Sequence, residues 1–346
     1  MKYKKRDLWK PFFLLFLIVG TVIILRQQQH LPYQRHEGMI FGTVYHITYQ
    51  SDEDLKKEIL ATLNEVDATL STFNETSVVS LVNKNMEVTL TPMFLHLFQL
   101  AQKISADTDG AFDITVAPLV NAWGFGFKHN SFPSETQVDS LMRLTDYRKV
   151  EIISQGPRSV IKKANDGMML DFSAIAKGYG CDRVAEMLQQ HGVKNLMVEI
   201  GGEIVVHGSN PQGQPWRMGV SKPIEDSLNV NNEIESVITF NDGALATSGN
   251  YRNFYYRDGK KYAHTIDPKT GHPVEHNLLS ATVIAPDCAT ADAYATAFMV
   301  MGMEKAKKIL ERHQELKVLF IYTDDKGAMK LWKSVNTNTL THGTGR

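Results

Sequence analysis

Apolar residues recur at helical spacing in several stretches of the chain. Over residues 54–70, Leu55, Ile59, Leu63, Val66 and Leu70 fall on one face, with acids near the start, which predicts an amphipathic helix. A second such segment, 92–108, carries Phe94, Leu97, Ala101 and Ile104 on one face and stops at Gly110. Further helices are predicted after Lys177, ending at Gly192, after Met303, and over the Ala-rich stretch 289–302. Between them lie runs rich in β-branched and aromatic residues: 39–50, broken near Gly42, then 150–153, 159–161, 196–206, 236–240, 281–284 and 318–322. The last of these is followed by Asp325-Lys326-Gly327 and a further run over 328–332, a hairpin pattern. Helices and strands alternate irregularly and no repeat is visible, so the pattern predicts an α+β (mixed α/β) fold.

The first thirty residues follow another rule. Lys2, Lys4, Lys5, Arg6 and Lys10 precede an apolar run from Pro11 to Leu25 that closes at Arg26. Basic-then-apolar order is a targeting signal. The run is short of the ~20 residues a spanning helix needs, although Leu8 and Trp9 extend it and Lys10 can snorkel. No small-x-small cleavage site follows and no cysteine lies nearby to accept a lipid, so residues 1–26 are expected to form an uncleaved signal anchor. Read as a cleaved signal peptide, they give the same compartment. The expected location is the bacterial inner (cytoplasmic) membrane, with residues 27–37 as linker, 38–335 as a periplasmic or extracytoplasmic domain, and 336–346 as a flexible tail.

The chain has 346 residues, 43% of them hydrophobic, enough to bury a full core. Its 37 basic and 38 acidic side chains give a net charge of −1, so no global field recruits nucleic acid. Any anion must be held locally. Only Cys181 and Cys288 carry thiols, and neither stands in a zinc or iron-sulfur spacing.

Five polar constellations carry candidate chemistry. In ATADAYATAFMVMG (289–302), Asp292 and Thr296 stand four residues apart on one helix face, hard oxygen ligands suited to Mg²⁺. Alone, the pair reads more simply as a helix cap and a back-bonded threonine. In DFSAIAKG (171–178), a strand ends at Asp171 and a helix begins near Lys177; helix-start amides and the lysine form a phosphate corner, and a carbonyl near Ala174 is a further metal ligand. The alternative is an ordinary N-cap at Ser173 and a solvated lysine. Gly201 and Gly202 in VEIGGEIVVHG (198–208) match no dinucleotide or P-loop spacing and read as a β-bulge. TSGNYR (247–252) and YAHTIDPKTG (262–271) flank a turn at Asp258-Gly259 and gather many donors, among them His264; Asp267-Pro268 can equally build a turn. Finally, GAFDITVAPLVNAWGFG (110–126) mixes aromatics, a carboxylate and glycines, as a flat heterocycle or a buried plug requires.

Taken in order, GTVY, LSTFNETSVVSLVN, GAFDITVAPLVNAWGFG, DFSAIAKGYGCDRV, VEIGGEIVVHG, TSGNY, YAHTIDPKTGHP and TADAYATAFMVMG resemble the ApbE family of FAD:protein FMN transferases, over Phe41 to about Tyr322. The resemblance implies a T-fold-related architecture of mixed or antiparallel sheets with packed helices. It implies FAD as flavin donor and Mg²⁺ held at Ala174, Asp292 and Thr296. Phe41, Phe73, Ala111, Phe112, Asp113, Asp171, Lys177 and His264 stand where members of that family contact FAD. It further implies an acceptor flavoprotein with a Thr or Ser in a D-G-x-S/T-G-A-S/T segment, typically in a membrane redox complex. This chain contains no such segment. Tethering without a lipid-bearing cysteine departs from many relatives. The expected reaction is attack of the acceptor hydroxyl on the FMN phosphorus with release of AMP, His264 serving as base and Asp267 or Asp171 as alternatives. The rival readings are an Mg²⁺-dependent FAD pyrophosphatase, in which water replaces the acceptor, and a non-catalytic FAD-binding or storage protein.

Overall fold

A computed structural model describes residues 9–29, 31–126, 132–156, 158–224, 233–251, 253–334 and 340–341. Lys2, Lys4, Lys5, Arg6, Leu8, Arg252 and most of the expected tail lie outside them. Eight antiparallel strands form the main sheet, in the spatial order Tyr33–Ile40, Thr43–Gln50, Leu196–Ile200, Glu203–His207, Gly243–Gly249, Leu278–Ala285, Lys317–Thr323 and Met329–Lys333. The α+β expectation therefore holds, with the sheet purely antiparallel.

The strand expected over 39–50 with a break near Gly42 is the end of one strand, a turn and a second strand of a hairpin. Phe41 and Gly42 form its two-residue loop with φ of 52° and 74°, the pair of positive angles that a type I′ turn demands. The segment read as linker thus enters the sheet at Tyr33. Leu196–Val206 is likewise not one bulged strand. Gly201 and Gly202, at φ 63° and 104°, turn the chain so that Ile200 pairs with Glu203. Leu340–Thr341, in the expected tail, pairs with Ile238 and Val237.

Both faces of the main sheet are covered, which is why its central strands read as continuous apolar runs. In Lys317–Thr323, Val318 and Phe320 pack into the helical core while Leu319 and Ile321 pack under a second sheet built from Trp216–Ser221, Ile234–Phe240 and Leu340–Thr341. The helices predicted from periodicity appear as Lys56–Leu70, Pro92–Asp107, Ala176–Gln190, Cys288–Met301 and Met303–Leu310. Thr91 caps the second by accepting the Phe94 N–H. At the N-terminus, Trp9–Gln29 is helical with exposed apolar side chains such as Phe12, Leu14 and Ile18. Among the described residues no helix is long and apolar enough to cross a membrane. The run from Pro11 to Leu25 rises about 22 Å as a helix, against a hydrocarbon core of about 30 Å.

Helix Cys288–Met301 lies deepest. Ala289, Ala291, Ala293, Ala295 and Ala297 are all buried, so small side chains let neighbouring elements approach its backbone. Its first amides are satisfied by two carboxylates. Asp287 accepts the Thr290 N–H at 2.8 Å, and Asp182 of the Ala176–Gln190 helix accepts those of Cys288 and Ala289, both at 2.8 Å. These two helices touch at Gly178, where a Cβ would stand 2.3 Å from the Cys288 carbonyl oxygen and 2.9 Å from Asp292 Cβ.

Alanine is the better helix former by about 1 kcal/mol, but overpacking against rigid backbone costs about 1–3 kcal/mol or more. Gly178→Ala is therefore expected to destabilise the protein by about 2 kcal/mol, measured as a lowered urea midpoint at unchanged slope; an unchanged or raised midpoint would contradict this contact.

Candidate functional site

One cavity of about 490 Å³ opens where the helical layer meets the ends of strands Glu203–His207 and Gly243–Gly249. The segments 111–117, 169–177, 247–249 and 264–266 and helix Cys288–Met301 all contribute to its wall. Of the residues singled out in the sequence, Phe73, Ala111, Phe112, Asp113, Asp171, Ala174, Lys177, His264, Asp292 and Thr296 line it. Positions separated by over two hundred residues are brought together.

At the centre is a buried charge cluster. Lys177 Nζ lies 2.6 Å from Glu203 Oε1, and Glu203 is only 3% exposed. Asp292 is buried and its Oδ2 accepts the Gly178 N–H at 3.1 Å. The helix-start amide expected to hold a phosphate is therefore spent on a carboxylate of the next helix. Burial lowers the Lys177 pKa, but the adjacent Asp292 and Glu203 carboxylates outweigh it, and the net direction is strongly upward. Lys177 stays charged. Burial raises Asp292, partly offset by Lys177 and the Gly178 N–H, and raises Glu203 to about 7 despite Lys177. Thr296 Oγ1 lies 3.2 Å from Ser248 Oγ.

Among the described residues, two carboxylates share one ammonium in this cluster, and the buried Glu203 Oε2 has no hydrogen-bond partner, so the donor set suits a small cation. Among the described residues no group of three or more His, Cys, Asp or Glu side chains is placed to hold a metal by itself. Asp292, the Thr296 hydroxyl and the Ala174 carbonyl fit instead the habit of Mg²⁺, which takes one or two carboxylates and completes its shell with water and phosphate oxygens.

The rim follows from local hydrogen bonding. Asp113 is 7% exposed; its Oδ1 accepts the Thr115 N–H at 2.8 Å and hydroxyl at 2.6 Å, and its Oδ2 the Tyr147 N–H at 2.9 Å. Burial raises its pKa against those donors. Asp171 Oδ1 accepts both the N–H and the hydroxyl of Ser173, so Ser173 is not the N-cap; Ile175 occupies that position without a side-chain cap. His264 Nδ1 lies 3.1 Å from the Asn253 carbonyl. A carbonyl only accepts, so Nδ1 carries the proton and a neutral ring has its lone pair on Nε2. Phe73 is 71% exposed at the rim, whereas Phe112 is 2% exposed and belongs to the core beneath the cavity.

Two expected residues are placed elsewhere. Asp267 does not line the cavity: its Oδ1 accepts the Lys269 N–H at 2.8 Å and its carbonyl the Gly271 N–H at 2.8 Å, the turn-building role. Phe41 sits in the hairpin loop with its ring against Gly180. Sequence reasoning missed Glu203, Phe125 and Tyr251, all on the wall. The signal for Glu203 was a charged residue inside an apolar strand run, directly after two glycines.

A family model described as the ApbE family matches residues 41–320. The chain belongs to the ApbE family. Its relatives include proteins named FAD:protein FMN transferase from Escherichia coli (strain K12), 35% identical with 86% of each chain covered, and from Haemophilus influenzae, 37% identical over 83% of this chain and 86% of that one. The solved structure of the flavin transferase ApbE from Vibrio cholerae is similar with a TM-score of 0.78, at 34% identity over 89% of this chain and 98% of that one. The apo form of the flavinyl transferase ApbE from Pseudomonas stutzeri matches with a TM-score of 0.76 at 31% identity, over 88% and 95%. The match thus extends over nearly all of both solved chains.

Burial holds the His264 pKa below its ordinary 6.5; the Asn253 carbonyl opposes this and Lys177 adds to it. A depressed histidine favours folding above the unfolded value, and that contribution is lost as pH falls through the folded value, because the unfolded chain takes up the proton first. The fall in urea midpoint between pH 8 and pH 5 is therefore expected to be larger for the natural protein than for His264→Gln. Equal falls would show that His264 is not held neutral.

Proposed function

We infer that this ApbE-family chain is an Mg²⁺-dependent FAD:protein FMN transferase acting outside the cytoplasmic membrane. The observation that carries the reading is the single cavity in which Lys177, Asp292 and Thr296 meet His264 and an aromatic wall. FAD supplies a flat ring and a pyrophosphate, and the wall offers a counterpart to each. The hydroxyl of an acceptor Thr or Ser attacks the FMN phosphorus, a new P–O bond forms, the bond to the AMP oxygen breaks, and AMP leaves. Lys177, charged at neutral pH, meets a phosphate oxygen. His264, with Nδ1–H on Asn253, presents Nε2 to take the proton from the incoming hydroxyl. The aromatic side chains near Phe73 and Phe125 flank the isoalloxazine. Ala174, Asp292 and Thr296 would hold Mg²⁺, which when bound would offset charge developing on the pyrophosphate. The acceptor is a flavoprotein subunit with a D-G-x-S/T-G-A-S/T segment, in keeping with a membrane redox complex.

The order of basic and apolar residues before Arg26 supports export. Fractionation of cells expressing the full chain should place it with the membrane or periplasm, and a cytosolic pool alone would refute the location.

The activity is tested by incubating the protein, with Tyr33 retained because it opens the sheet, with FAD, Mg²⁺ and a peptide bearing the acceptor segment. Mass spectrometry should find an FMN adduct on the peptide and AMP in solution. AMP and FMN without adduct would indicate hydrolysis, and unchanged FAD would refute both. Asp292→Ala should lower the rate by about 100-fold or more, since a bound metal supplies several kcal/mol and about 1.4 kcal/mol is a factor of ten, with partial rescue by added Mg²⁺.

A further inference from the structure

One buried charge has no part in the reading above. Glu203 is 3% exposed in the cavity wall, yet neither the flavin contacts nor the metal ligands include it. It is held firmly in place. The Gly201–Gly202 turn sets its strand, and a Cβ on Gly201 would strike Thr43 at 2.8 Å. Its own carbonyl accepts the Cys181 thiol at 3.2 Å. The side chain so aimed meets Lys177 at 2.6 Å through Oε1, while Oε2 is buried with no hydrogen-bond partner among the described residues.

A second carboxylate shares the cavity wall with Lys177: the residue after it, Gly178, donates its N–H to Asp292. Both carboxylates, Asp292 and Glu203, favour the charged form of Lys177. A lysine between two buried carboxylates shields whichever one it contacts, and a shielded Asp292 is a poor ligand for a cation. We propose that Glu203 is a positioning residue that holds the Lys177 ammonium off Asp292, and so keeps that carboxylate available to a divalent cation. The inference rests on the metal reading of Asp292. It gives Glu203 an action through Lys177 and no direct contact with the cation.

A double-mutant cycle separates that action from simple loss of a nearby negative charge. Mn²⁺ binding to the full chain is followed by electron paramagnetic resonance for the natural protein, Glu203→Gln, Lys177→Met, the double variant and Asp292→Ala. Glu203→Gln should weaken Mn²⁺ binding by about tenfold, yet the same change in the Lys177→Met background should alter it by less than about threefold. A tenfold loss in both backgrounds would overturn the proposal, because Glu203 would then act on the cation itself; no loss in either would overturn it too. The double variant removes both members of the Lys177–Glu203 pair and leaves Asp292 as the one carboxylate of the cluster, so it buries less uncompensated charge than Lys177→Met, and the comparison of those two is made even where Glu203→Gln alone does not fold. If Asp292→Ala binds Mn²⁺ as the natural protein does, the metal reading fails on its own account.

Discussion

The site depends on two helices coming closer than side chains ordinarily allow. At Gly178 nothing larger than hydrogen separates the Ala176–Gln190 helix from the Cys288 carbonyl and from Asp292. That approach has three consequences. It lets a backbone N–H reach Asp292, it brings Lys177 and that carboxylate into one cavity wall, and it brings Asp182 onto the start of the neighbouring helix. The alanines along Cys288–Met301 serve the same end, since large side chains there would hold the helix away from its neighbours.

Electrostatics then takes over from packing. Burying two carboxylates and one ammonium is unfavourable unless each is compensated, and Lys177 cannot satisfy both acids equally. Among the described residues, then, the cluster carries two acids for one base. The proposed cation, with the phosphate oxygens that complete its shell, would offset that imbalance without any need for a dense set of acidic ligands. The peripheral carboxylates behave differently: both oxygens of Asp113 accept from backbone and hydroxyl donors, and Asp171 accepts the N–H and hydroxyl of Ser173 through Oδ1.

Much of this was legible in the sequence where local rules operate. The helices with long apolar stripes lie within a few residues of their expected bounds, and the four-residue spacing of Asp292 and Thr296 does put both on one cavity wall. Local rules fail where a signal is too short or is set by neighbours. Val78–Asn83 and Ala117–Ala122, at six residues each, are too brief to show a period. Gly243–Gly249, with the sequence GALATSG, has little intrinsic strand preference and exists because a strand pairs on either side of it. Leu196–Val206 continues its apolar run straight through the glycine turn, so a hairpin looked like one irregular strand. Glu203 was hidden for the same reason, and Asp267 was overvalued because a turn-forming aspartate and a catalytic one look alike without their partners.

Asp182 carries a further implication, for how the molecule assembles. The start of the Asp292 helix is completed by a carboxylate 106 residues earlier in the chain. Neither helix can therefore reach its final state on its own, and the pairing demands closure of a long loop before it is rewarded. Ligand-binding competence should accordingly arrive late and all at once during folding. A chain emerging during synthesis, or one cut before residue 288, would present Lys177 and Glu203 without Asp292, and so without a complete cavity wall.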